Sequence, residues 1–351
     1  MSKALPDLKP DAPAIAIQRN PQSGSGRGRS ELLALVHELR QRGYRVRMFK
    51  SREQLDIWVR QDQVSRQLRC LVAAGGDGTL ADLLNRHPSR PLVPFPLGTE
   101  NLMARHLGIG RTPALFADMV DANQTLMFDT GLVNDHRFLL MVSLGVDADV
   151  VHRLHHERTG NIRHMSYLRP IWNAFRRFRS QRVWATSCAD SAEQIAETLP
   201  LAGGHVIVAN TSAYGFHFQF CPDATPHDGL LDVRVFTGTS RFAMFIHGLS
   251  LWLRLPWKNV MVKRFQSSCI RLNATGPAGT PADTPSGVAD AGRSSVPAQT
   301  DGDPFGRLDC AGSAAADSAI RGVYGEMIVR VDPGSLRMLV PSTYRRCVQQ
   351  D

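Results

Sequence analysis

The chain lacks several things whose absence narrows its class. No apolar run approaches the roughly 20 residues that cross a bilayer as a helix, so membrane-spanning helices are not expected. The first thirteen residues are polar, proline-rich and partly acidic, which is not the basic-then-apolar pattern of a secretory leader. Cysteines 70, 188, 221, 269, 310 and 347 are scattered without a CxxC pair, a pattern that argues against a zinc site or disulfide framework and for reduced thiols in a cytoplasm. Neither a GxxxxGK loop followed by Ser or Thr nor a GxGxxG turn occurs, which removes the P-loop and the dinucleotide-binding fingerprint. There is no internal repeat.

What is present is a 351-residue chain with 43% hydrophobic and 21% charged residues, ordinary values for a folded protein of two domains. The formal net charge of +9 suits a polyanionic partner, whether nucleic acid, an anionic membrane face or a phosphorylated ligand. No recognition motif supports nucleic acid, which is therefore not expected.

The first part alternates strands and helices. Ala14–Gln18, Tyr44–Phe49, the buried run Cys70–Ala74 and Pro91–Phe95 read as strands, each followed by a turn and a helical pattern. Strand, glycine turn and helix repeated in this way indicate an α/β doubly wound domain with a parallel sheet over 14–126, after a flexible tail at 1–13. From about residue 127 short alternating segments predominate, including His205–Asn210, Leu231–Phe236 and Cys269–Asn273. These predict a second, β-rich antiparallel sandwich-like domain over 127–345. Helical patterns cover Met165–Arg182 and Arg241–Leu255. The stretch 274–300 is almost all small and polar residues and is read as a disordered insertion.

Three turns carry the chemistry. Gly75-Gly76-Asp77-Gly78-Thr79 sits between a buried strand and a helix, where backbone amides and the helix dipole favour phosphate and glycines let it come close. Thr79 adds a hydroxyl, and Asp77 is suited to a magnesium-bound water or a ribose hydroxyl. Asn20-Pro21-Gln22-Ser23-Gly24 and Gly98-Thr99-Glu100-Asn101 follow strands at the same sheet edge. A basic, aromatic-rich stretch from Arg163 to Trp184 has the composition of a helix at an anionic interface, and equally of a solvated helix on a core. His152, His155, His156 and Glu157 have helical spacing, which more often marks a solvated face than a metal site.

The motifs NPQSG, GGDGT and PLGTENLMARHLG, in this order, resemble the catalytic domain of the diacylglycerol kinase family, which includes sphingosine kinases and soluble bacterial lipid kinases. The likeness continues through VIVAN with Tyr214-Gly215, Asp228-Gly229-Leu230-Leu231-Asp232, and Asp301-Gly302-Asp303 in place of a DGE motif. The resemblance implies an ATP- and Mg2+-dependent transfer of phosphate to a lipid hydroxyl of diacylglycerol, sphingoid or related type, with a nucleotide and lipid cleft between the two domains. Asn20, Ser23, Gly24, Gly75, Gly76, Asp77, Gly78, Thr79, Gly98, Thr99 and Asn101 would then bind the nucleotide. Asp228, with carbonyls near Thr225 and Leu230, would hold magnesium, and Asp303 would be the general base. It also implies a cytoplasmic enzyme, peripheral on the inner, anionic membrane face, with a homodimer admitted. An NAD kinase-like enzyme and an inactive nucleotide- or lipid-binding regulator are the alternatives. Departures from the family pattern fall at Ala81-Asp82, Glu100, Phe216, His217 and Asp303.

Overall fold

A computed structural model describes residues 12–21, 23, 28–156, 182–188, 200–215, 220–238, 240, 242–243, 262–274, 295–309 and 322–344. The helical expectations at 165–182 and, beyond Phe242 and Ala243, at 241–255 lie outside them, as do Gly24, Glu157, Phe216 and His217. In chain order, the elements of the first part are β1 (Ala14–Arg19), α1 (Arg29–Gln41), β2 (Arg45–Phe49), α2 (Arg52–Val59), α3 (Asp62–Gln67) and β3 (Leu68–Gly75). Then follow α4 (Asp77–Arg86), β4 (Leu92–Pro96), α5 (Leu102–His106), α6 (Pro113–Ala122) and β5 (Thr125–Val133). The second part holds β6 (His136–Phe138), β7 (Met141–Leu144), α7 (Val146–His156), β8 (Val183–Ser187), β9 (Leu201–Gly203) and β10 (His205–Ala209). It ends with β11 (Leu231–Phe236), β12 (Val262–Ser267), β13 (Cys269–Asn273), β14 (Ser295–Thr300), β15 (Asp303–Asp309), β16 (Val323–Tyr324) and β17 (Glu326–Leu339).

The chain forms two compact units, one containing residues through Phe128 and again from Gly334, the other beginning at Asp129 and ending at Pro333. In the first unit the strands run β2-β1-β3-β4, all parallel. Both faces of β1 and β3 are covered, and their residues are apolar without alternation, as a sheet sandwiched by helices requires. Helix α1 buries Leu32, Leu35, Val36 and Leu39, one stripe at helical spacing. The last residues of β17 add a fifth parallel strand, Met338 pairing with Leu92 of β4. The sequence reading kept residues up to 345 in the second domain. The return of the segment from Gly334 to the first unit differs from it, because a strand's alternation does not say which sheet edge it will pair with.

The second unit is a β-sandwich. One sheet runs β12-β11-β10-β7-β14-β15-β16, antiparallel except for the last pair. The other pairs the first residues of β17 with β13, then β8 and β9. Between them lies an apolar core that includes Val142, Val206, Val233, Ile270, Val296, Ala298 and Val329. The expected insertion at 274–300 needs correction at its end. Residues 295–300 form β14, an interior strand between β7 and β15. The segment Ser-Val-Pro-Ala-Gln-Thr has few bulky residues, but Val296 and Ala298 alternate into the core, and this pairing outweighs its composition.

Candidate active site

Strands β1 and β3 are neighbours whose connections leave in opposite directions, toward β2 and toward β4, so a crevice opens beyond their C-terminal ends. The three glycine-bearing turns meet there. The Asn20 amide donates to the Ala74 carbonyl at 3.2 Å, and the Asn20 carbonyl accepts from the Ser23 amide. The Gly75 carbonyl accepts from the amides of Leu97 (2.9 Å) and Gly98 (3.0 Å). A Cβ on Gly75 would collide with Thr79 Oγ1 and lie 3.1 Å from Ser23 Oγ. A Cβ on Gly98 would sit 2.5 Å from Gly76 Cα, so these two turns pack backbone against backbone.

The motif side chains divide their labour. Asp77 is half-buried, and its two carboxylate oxygens accept from the amides of Leu102 (2.9 Å) and Met103 (3.0 Å), capping the short helix after the third turn. Burial raises its pKa, against the lowering by those amides, and nearby Glu100 adds to the rise. The sequence reading gave Asp77 to magnesium water or ribose; in the structure its oxygens tie GGDGT to the next turn. Asn101, at φ 50°, accepts from the Gly98 amide at 2.7 Å and donates to the Gly98 carbonyl at 2.8 Å, closing the turn on itself. Glu100 lies 3.7 Å from Arg105 and is mostly buried, so an attractive partner stands beside it. Thr99 is exposed on the same turn, and Gly78 is half-buried in the first turn of α4. Thr79 differs from the others. Its hydroxyl is buried and has no hydrogen-bond partner among the described residues, which leaves a donor and acceptor at the α4 N-terminus for a ligand. An anion held by backbone amides and one hydroxyl fits this donor set.

In the second unit, Asp301 and Gly302 occupy positive φ (51° and 86°) and form a two-residue hairpin between β14 and β15, with Thr300 opposite Asp303. Asp301 is buried and accepts from the amides of Leu139 (2.7 Å), Leu140 (2.8 Å) and Met141 (3.1 Å). It anchors the turn to the segment that joins β6 and β7. Asp303, next to it, is exposed. Its charge acts on His136 of β6, a half-buried ring 5.4 Å from Phe305 that the sequence reading did not single out. No motif marks His136; only the β5–β6 hairpin brings it here.

Asp228 is exposed, and its Oδ1 accepts from the Leu230 amide at 3.0 Å. Gly229, at φ 71°, donates to Asp129 Oδ2 at 2.8 Å. Thr225 and Leu230 are half-buried in the same loop. Among the described residues no group of three or more His, Cys, Asp or Glu side chains is placed to hold a metal. One exposed carboxylate with main-chain carbonyls is a hard-oxygen set suited to magnesium rather than to a transition metal. His152 Nε2 donates to the Ala298 carbonyl at 2.8 Å.

A parallel α/β unit with glycine turns at its switch point, the place where such folds take their ligands, is followed in the chain by a β-sandwich with an exposed aspartate on a tight hairpin. Comparison with known families agrees. Residues 15–133 match the diacylglycerol kinase catalytic domain. Residues 140–340 match the YegS C-terminal NAD kinase beta sandwich-like domain. A Pseudomonas fluorescens protein named "Probable lipid kinase YegS-like" is 29% identical over 55% of this chain and 67% of its own length. A Mycobacterium tuberculosis protein named diacylglycerol kinase is 28% identical over 65% of this chain and 74% of its own length. A solved structure of a diacylglycerol kinase from Bacillus anthracis has the same fold, with a TM-score of 0.62 at 17% identity, over 94% of this chain and 98% of that one. The chain belongs to the family defined by the YegS C-terminal NAD kinase beta sandwich-like domain and carries, before it, a diacylglycerol kinase catalytic domain.

Proposed function

We propose that the protein is an ATP- and magnesium-dependent lipid kinase that transfers the γ-phosphate to a lipid hydroxyl of the diacylglycerol, sphingoid or related class. The observation that carries this reading is the meeting of the three glycine turns around the partnerless Thr79 hydroxyl. Backbone amides of that crevice, with Thr79, Thr99 and the Asn20 and Ser23 side chains, take the nucleotide phosphates. Asp228 and the carbonyls of Thr225 and Leu230 would hold magnesium, which when bound neutralises phosphate charge. Asp303 accepts the proton as the lipid oxygen attacks the γ-phosphorus and ADP departs. The net charge of +9 and the absence of a membrane-spanning helix among the described residues support docking on the inner, anionic face of a membrane from the cytoplasm.

The test is an assay with labelled ATP, magnesium and vesicles of total bacterial lipid, alongside NAD. Label in a chloroform-soluble product is expected, with Asp303→Asn lowering kcat roughly a hundred- to ten-thousand-fold. Label in NADP alone would overturn the reading. ATP binding without transfer to lipid or NAD would make the protein a regulator.

A further inference from the structure

The side-chain cluster behind the Asp301–Gly302 hairpin has no part in the mechanism above. Asp147, at the start of α7, is half-buried and receives hydrogen bonds at one oxygen from Ser143 Oγ (2.6 Å) and Tyr214 Oη (2.7 Å). Its other oxygen lies 2.9 Å from His205 Nε2. Burial disfavours its charge, but the His205 ring and the Ser143 and Tyr214 hydroxyls outweigh that and pull its pKa down to about 2. The His205 ring is itself fixed, stacked on Phe236 at 5.0 Å and edge-on to Phe220.

Gln299 joins this cluster to the hairpin. It is buried, on β14, and its Nε2 donates to Ser143 Oγ (2.7 Å) and faces Asp147 Oδ2 (3.4 Å). Its Oε1 accepts from the Gly302 amide at 2.8 Å. An amide has one accepting and one donating end. With a charged carboxylate and a hydroxyl on one side, only the oxygen is free to face Gly302, so Asp147 sets which way Gln299 points. We infer that Gln299, oriented by the Asp147–His205–Ser143–Tyr214 cluster, is a positioning residue that fixes the Asp301–Gly302 turn and so the exposed carboxylate of Asp303.

Two further features favour a positioning role over simple packing. A valine or leucine would fill a β-sandwich position at less cost than a buried amide and an ionised acid. The hairpin is also held from both ends: Asp301 binds three amides on one side, and Gln299 binds Gly302 on the other. The residue so fixed is the one that lies just beyond.

This inference rests on Asp303 being the base, and the experiment separates the two ideas. In the same vesicle assay, kcat and the KM for ATP are measured for wild type, Gln299→Met, Asp303→Asn and the double variant. Folding is checked by circular dichroism melting and ATP affinity. Gln299→Met is expected to lower kcat about tenfold to a hundredfold while leaving the KM for ATP unchanged, since small misplacement of a reacting group costs that much. In the Asp303→Asn background it should change kcat by less than about twofold, because a residue acting through Asp303 has nothing left to position. Equal factors in both backgrounds would overturn the inference and leave Gln299 a packing residue. Wild-type kcat in Gln299→Met would do the same. Wild-type kcat in Asp303→Asn would sink the base assignment, and the positioning role with it. If Gln299→Met fails to fold, Tyr214→Phe, which removes one hydroxyl from Asp147, replaces it and should show the same loss of kcat and the same dependence on Asp303.

Discussion

The glycine crevice of the first unit and the aspartate hairpin of the second solve the same problem with different materials. Each must present a few polar atoms from an otherwise apolar sheet edge. The crevice does so with backbone: Gly75, Gly76 and Gly98 pack main chain to main chain, and the motif's side chains Asp77 and Asn101 brace those turns. The hairpin does so with side chains, through a buried relay from His205 and Asp147 to Gln299. In both, an aspartate of the motif is engaged by backbone amides, half-buried in the crevice and buried in the hairpin. The contrast implies different sensitivities: the crevice to added volume, the hairpin to lost charge and polarity.

The largest expected effect tests the first half of that contrast. In Gly98→Ala the new methyl would meet Gly76 Cα at 2.5 Å and Asn101 Oδ1 at 2.8 Å, and backbone cannot yield as a flexible side chain can. Overpacking of this kind costs about 3 kcal/mol, and ATP affinity should fall with it. Gly76→Ala would meet Gly98 Cα only at 3.5 Å, from a φ of −98° that any residue adopts, so its cost in denaturant unfolding should be under about 1 kcal/mol. Equal losses in the two variants would break the backbone-to-backbone account.

The next effect belongs to the hairpin and depends on pH. Asp147 ionises at about 2 in the folded chain, against an ordinary 3.8. Its stabilisation is therefore present above about pH 4 and lost as pH falls through about 2. The difference is worth about 2 kcal/mol. Asp147→Asn should lose that much at pH 6, measured by urea unfolding, and the gap from wild type should close toward pH 2. A gap that stays constant with pH would mean that the Asp147 charge is not what the cluster holds.

A smaller change separates the roles of Asp77. Replacing it with Ala removes the acceptor for the Leu102 and Met103 amides, a helix cap worth about 1 kcal/mol. Asp77→Asn keeps one acceptor oxygen and should recover part of that stability. If Asp77 also touched nucleotide, Asn would restore the fold but not ATP affinity, which calorimetric titration would show.

These differences follow from what a sequence can and cannot display. The parallel core was legible because Ala14–Ile17 of β1 and Cys70–Ala74 of β3 are apolar runs that lead toward glycine-bearing turns, and the three turns were legible because glycine is needed where backbones touch. Gln299 and Asp147 were not, because each looks like an ordinary polar residue until β7 and β14 are paired, placing Ser143 beside Gln299. β14 itself hid inside a small-residue stretch, and the return of β17 to Leu92 is a long-range pairing with no local signature. The amides that Asp77 and Asp301 engage were hidden for a related reason: they belong to Leu102, Met103 and Leu139–Met141, which only the fold brings to these turns.

The smallest effect lies at His136, and it tests whether the hairpin's exposed carboxylate has a side-chain environment at all. Burial holds the His136 pKa below its ordinary value, and the negative charge of Asp303 works in the opposite direction. Removing that charge takes away the opposing influence, so Asp303→Asn should move His136 further down and keep its ring neutral to lower pH. The shift is the weakest of the series because Asp303 is exposed and water and salt screen it. NMR titration of the His136 ring protons in wild type and Asp303→Asn measures it directly, and raising the salt concentration should shrink the difference between the two curves. An upward movement, or none at low salt, would mean that Asp303 does not face this ring. The hairpin would then present its acid to solvent as plainly as the crevice presents Thr99, and the contrast between a backbone-built and a side-chain-built site would hold only for the buried relay behind it.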